Sequence, residues 1–169
     1  MIAAASLVVA VLAAQSATVK PSQHGTVSQQ VASTTITIEY NRPVARGRDL
    51  FGALVPYDRV WCPGADQCTT LTTTTDITVE GKTLAAGTYT VWTKPGREKW
   101  SIIFNKASPT FHTQYFRVSD QDVLTLDVAP RTAPHMETLA FYFAVVDGRR
   151  AELVLHWGTV AVPLAIDVP

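Results

Sequence analysis

The sequence predicts an all-β protein, an antiparallel β-sandwich of jelly-roll-like character in a single domain. Three observations carry this. Short runs alternate apolar and polar residues with period two and are rich in β-branched side chains. Gly and Pro turn signals separate them at close spacing. No amphipathic helix longer than two turns is found.

The runs follow in order from Gln23 onward. Residues 34–40 (TTITIEY) set Ile36, Ile38 and Tyr40 on one face and Thr35, Thr37 and Glu39 on the other, a strand with one wet side. The Thr-rich stretch 69–75 is good strand material. Glu80-Gly81-Lys82 reads as a hairpin turn. Ala85-Ala86-Gly87 then leads into 88–94, and Pro95-Gly96 into 100–105. Residues 123–128 alternate again. Residues 139–146 (LAFYFAVV) are apolar on both faces and read as a central strand. Asp147-Gly148 turns the chain into 151–157, which points Leu153, Leu155 and Trp157 inward and His156 outward. Residues 160–166 close the chain, with Pro163 marking an edge strand or a bulge.

The first segment is of another kind. Residues 2–14 are apolar except for Ser6, too short to span a membrane and of the length of a signal-peptide core. Small residues follow at Ala14-Gln15-Ser16-Ala17, although no Lys or Arg precedes the run. The expected organisation is a signal peptide over 1–17 and a β-sandwich domain over 18–169. The expected location is secreted or periplasmic, with no membrane span after cleavage. The chain has 169 residues with 14 Lys+Arg against 14 Asp+Glu, so it lacks the basic excess of a nucleic-acid binder.

Chemistry concentrates in residues 41–70, the least strand-like stretch. A long loop on a rigid sheet scaffold is where binding groups collect. The candidate ligand-binding residues are Arg42, Arg46, Arg48, Tyr57, Trp61, Asp66 and Gln67. Guanidinium forks suit carboxylates, phosphates or sugar hydroxyls, and the aromatic rings offer stacking faces. The bland alternative is a solvated Arg cluster with Trp61 packed as a lid on the core. Cys62 and Cys68 are the two cysteines. In an exported chain a close, even pair favours a disulfide over free thiols or a metal site. A zinc site would need two further ligands, and the CxxC redox spacing is absent. No cofactor and no metal are expected. The four His are scattered, and HExxH, GxSxG and P-loop patterns are missing. Asp66, Asp76 and Glu80 do not form a spaced carboxylate pair.

A set of segments carries a family likeness. These are Pro21-Ser22-Gln23-His24-Gly25, residues 36–43 (ITIEYNRP), 47–57 (GRDLFGALVPY), Val60-Trp61, Gly64-Ala65, 79–89 (VEGKTLAAGTY) and 100–106 (WSIIFNK). Together they resemble the bacterial family called domain of unknown function 2911. The resemblance implies export and a β-rich domain, and no known reaction. After Trp61 the chain departs from the family pattern. Cys62 stands for an Arg, Asp66 for an Asn, Gln67 for a Glu and Cys68 for a small residue. Two cysteines arriving in one loop fit a bridge, and any role of the Arg and Glu is altered or lost here.

Three function classes follow. One is a non-catalytic binding module for a small anionic or sugar-like ligand, or for another envelope protein. The second is a jelly-roll or cupin-like hydrolase or isomerase with Asp66 or His24 in acid–base work. The third is a structural envelope accessory domain.

Overall fold

Alternation of buried and exposed side chains organises the described residues into ten strands. The computed structural model describes residues 19–169; the expected leader, 1–17, lies outside the described residues. The strands are β1 (Gln23–Val31), β2 (Thr34–Arg42), β3 (Thr70–Thr73), β4 (Ile77–Val79), β5 (Lys82–Leu84), β6 (Gly87–Lys94), β7 (Trp100–Asn105), β8 (Asp122–Val128), β9 (Arg131–Asp147) and β10 (Arg150–Asp167). Two short 3-10 turns, Tyr115–Arg117 and Ser119–Gln121, precede β8.

The strands form two antiparallel sheets. The larger has the order β1-β2-β3-β6-β7-β8, the smaller β5-β4-β10-β9. The expected all-β sandwich is therefore observed. Ile36, Ile38 and Tyr40 of β2 face inward as their alternation requires. With Leu71, Val91, Ile102 and Phe104 they meet Leu139, Phe141, Leu153, Leu155 and Trp157 of the smaller sheet. Tyr40 is apolar in its ring and polar at its tip, and its hydroxyl accepts the Phe141 N–H at 3.1 Å across the core. The hairpin at Glu80-Gly81 has φ of 50° and 73°, the pair of left-handed residues a two-residue β-turn needs.

Three readings of the C-terminal half need correction or refinement. Residues 139–146 lie in β9, which is an edge strand, not a central one. Near its end, where it pairs with the start of β10, Val145 is 52% and Val146 42% exposed. Pro163 lies inside β10, between its last pair with β9 at Ala161 and its first with β4 at Ile166. No ladder bond is lost there. His156 points away from the core as its phase demands, yet it is only 4% exposed. Register shifts on either side of Gly158 put extra β9 residues beside it. The Pro134 carbonyl meets its Nε2 at 3.0 Å and the Tyr142 hydroxyl its Nδ1 at 3.2 Å.

Candidate functional site

The connection from β2 to β3, residues 43–69, covers one end of the sandwich in two halves. The first half crosses between sheets. Pro43 accepts the Leu139 N–H at 2.9 Å and Ala45 donates to the Glu137 carbonyl at 2.8 Å, so residues 43–45 run as a short strand along β9. Arg46 and Gly47, with φ of 52° and 68°, then reverse the chain. Residues 49–55 close a compact loop through Val55 N–H to Leu50 O and Gly52 N–H to Val55 O, both 2.8 Å. Leu50 seats against Gly158, where a Cβ would lie 2.8 Å from Leu50 Cδ1. Phe51 and Trp61 enter an aromatic cluster with Trp100 and Trp157. Trp61 stacks on Trp157 at 6.1 Å, and Phe51 meets Trp100 edge-on at 4.9 Å.

The second half lies on the outer face of the larger sheet. Cys62 and Cys68 form a disulfide with a Cα–Cα distance of 5.7 Å, inside the normal range. The bridge lies over Trp92 and Ile103 in a small separate apolar cluster. Asn41 Nδ2 donates to Ala65 O at 2.7 Å, and Thr69 Oγ1 to Pro63 O at 2.5 Å.

The seven candidate residues divide among several places. Arg46, Arg48 and Trp61 come together around a cavity of about 420 Å³ that Trp157 and His112 also line. Arg48 is held by its own loop, donating from Nε to Ala45 O at 2.8 Å and from Nη2 to Val44 O at 2.6 Å. Arg46 is exposed and reaches the Pro21 carbonyl only at 3.5 Å. Arg42 does not join them. Its Nε donates to the Leu139 carbonyl at 3.1 Å, tying one sheet to the other. Tyr57 lies under the Arg97 guanidinium at 4.8 Å. Asp66 pairs with Lys20 at 3.3 Å, and Gln67 lines a separate hollow beside Cys68 that also holds His24.

One organising residue was missed from sequence. Glu137 accepts the Arg46 backbone N–H at 2.7 Å and bonds His135 Nε2 at 2.9 Å. Its main-chain carbonyl also accepts the Trp157 indole N–H at 3.3 Å. The bond from His135, then that from the Arg46 amide, hold the Glu137 carboxyl below its ordinary range. A signal for it did exist: residues 135 and 137, two apart on a strand, share a face. Among the described residues no cluster of three or more His, Cys, Asp or Glu is arranged to hold a metal ion. No helix of the described residues is long and apolar enough to cross a membrane.

A family described as "Protein of unknown function (DUF2911)" matches residues 22–166. The chain belongs to that family. No curated protein and no solved structure matches it.

Proposed function

We propose that this member of the DUF2911 family is an exported, non-catalytic binding module. Its site is the cavity of about 420 Å³ at the end of the sandwich. The observation behind this reading is that Arg46, Arg48 and Trp61, separated along an irregular loop, surround one concavity. Arg48 is oriented by two backbone carbonyls before any ligand arrives, so less ordering is left to binding. The stacked Trp61–Trp157 pair and Val55 supply an apolar wall. That pairing of cationic rim and flat wall suits a small anion carrying a ring. The Cys62–Cys68 bridge is compatible with an extracellular location.

Thermal denaturation with benzoate and phenyl phosphate tests the site. A saturable rise in Tm is expected, weakened by about 1–3 kcal/mol of binding in Arg46→Ala through loss of charge-assisted hydrogen bonds. Equal responses from wild type and variant, or none from either, would rule the site out. Export is checked separately by mass analysis of the native protein, with a mature N-terminus expected among residues 14–18. A product retaining Met1 in the cytoplasm would contradict it.

A further inference from the structure

A second concavity flanks the same loop. It has a volume of about 540 Å³ and runs on into a smaller one of about 160 Å³. The two share Phe51, Tyr57, Arg97, Thr159 and Val160, so they form one groove from Arg48 to Arg131. Arg97 comes from the β6–β7 turn and Thr159 from β10, and neither belongs to the stretch that drew attention in the sequence.

The groove is built around Arg97. Its guanidinium lies 4.8 Å from the centre of the Tyr57 ring. Stacking uses the flat face of a guanidinium and leaves its in-plane N–H groups able to donate. Tyr57 in turn rests on Gly52, where a Cβ would come 2.7 Å from the ring at a φ of +92°. Only glycine permits this stack. Among the described residues no carboxylate lies within ion-pair distance of Arg97 or Arg48, whereas Arg131 is paired with Glu152. Arg48 keeps its Nη1 group after its two bonds to its own loop.

The remaining lining narrows the ligand. Asp49 accepts but cannot donate when ionised, and it repels a bare anion. Tyr57 and Thr159 bring hydroxyls, and His135 a ring held at one nitrogen by Glu137. Donor-only arginines, an acceptor-only carboxylate and mixed hydroxyls in one groove match a ligand that joins an acidic group to several hydroxyls. We infer that this groove is a second binding site, for a sugar bearing a carboxylate or phosphate, with Arg97 as its principal anion contact.

Titration calorimetry on the full mature chain, with D-glucuronate, glucose 6-phosphate and polygalacturonate as probes, tests this. At least one probe should bind while glucose binds at least about tenfold more weakly, the size of one charge-assisted contact. Arg97→Ala should weaken that binding by about tenfold or more. Arg97→Lys, which keeps the charge but not the planar fork, should recover only part of it. Arg117→Ala, an exposed change outside the groove, should have no effect. Tight binding of polygalacturonate alone would show that the groove takes a chain, and binding of the monomers that it takes a free sugar. Failure of all three probes, or wild-type affinity in Arg97→Ala, would overturn the inference. Affinity lost in Arg46→Ala but kept in Arg97→Ala would place the ligand in the neighbouring cavity and equally overturn it.

Discussion

The two halves of the 43–69 connection are held by opposite means. Residues 43–61 are fixed without a covalent tie, by backbone bonds to β9, by the aromatic cluster at the sandwich end and by the Glu137 carboxylate. Residues 62–69 are closed by the Cys62–Cys68 bridge on the outer face of the larger sheet, over Trp92. The first half lines both concavities and carries the exposed arginines, whereas the second reaches only one of them, the cavity of about 420 Å³, through Gly64 and Ala65, and among its residues only Gln67 is exposed. Tying one half covalently steadies the loop as a whole and leaves the ligand-facing half to be shaped by weaker contacts. The halves should therefore fail under different insults, the first to loss of packing or to acid, the second to reduction.

The largest expected effect comes from removing the ring on which the first half rests. Trp157 is almost fully buried, stacked on Trp61 and edge-on to Phe51. Trp157→Ala should cost about 3–5 kcal/mol in equilibrium denaturation, transfer and cavity terms together. The disulfide should remain formed in the variant, as non-reducing mass analysis will show. A cost under about 1 kcal/mol would mean that the aromatic cluster does not anchor the loop.

The second half gives a smaller effect. Cys62→Ser with Cys68→Ser removes the closure of a short loop, worth about 2 kcal/mol in the chain-entropy account. Dithiothreitol should reproduce the loss in the wild type and add nothing in the double variant. Binding at Arg97 should be unchanged by either treatment. Finding both thiols freely alkylated in the native protein would refute the bridge and the contrast with it.

What the sequence showed of this arrangement follows the range of the forces involved. β2 was legible because alternation is local: Ile36, Ile38 and Tyr40 can share a face in only one way. The 80–81 hairpin was legible because few residue pairs suit its backbone. The cysteine pair was legible from its close spacing and even count in a chain expected to be exported. The place of β9 was not, because an apolar run reports burial and not which neighbour supplies it. The segment is an edge strand whose inner face is covered by the opposite sheet. The site divided in the same way. Arg46, Arg48 and Trp61 were visible as chemistry concentrated in one loop. Arg97, Gly158 and the contact of Glu137 with Arg46 were not, since the β6–β7 turn and the β9–β10 hairpin reach that loop only when the sandwich closes. Arg42, chosen by type and proximity, is directed to a carbonyl of the other sheet by the strand phase that puts it beneath Tyr40.

The smallest effect separates the halves by pH. Glu137 is exposed, and its folded pKa is depressed below the ordinary 4.5 by His135 and the Arg46 amide. A depressed carboxyl binds its proton more readily in the unfolded chain, so acid favours unfolding. The stabilisation is fully present above the unfolded value and is lost as pH falls through the lower folded one. Glu137→Gln should therefore flatten the acid limb of a Tm–pH curve below about pH 4.5 while leaving the disulfide-held half unchanged. Amide exchange resolves the two. The Arg46 N–H, which donates to the Glu137 carboxylate, should lose protection in acid in the wild type. The Cys68 N–H, which donates to the Thr110 carbonyl at 2.8 Å, should keep its own. A common acid response at both amides, unaltered by Glu137→Gln, would mean that the halves open as one unit and that the carboxylate does not hold the first in place.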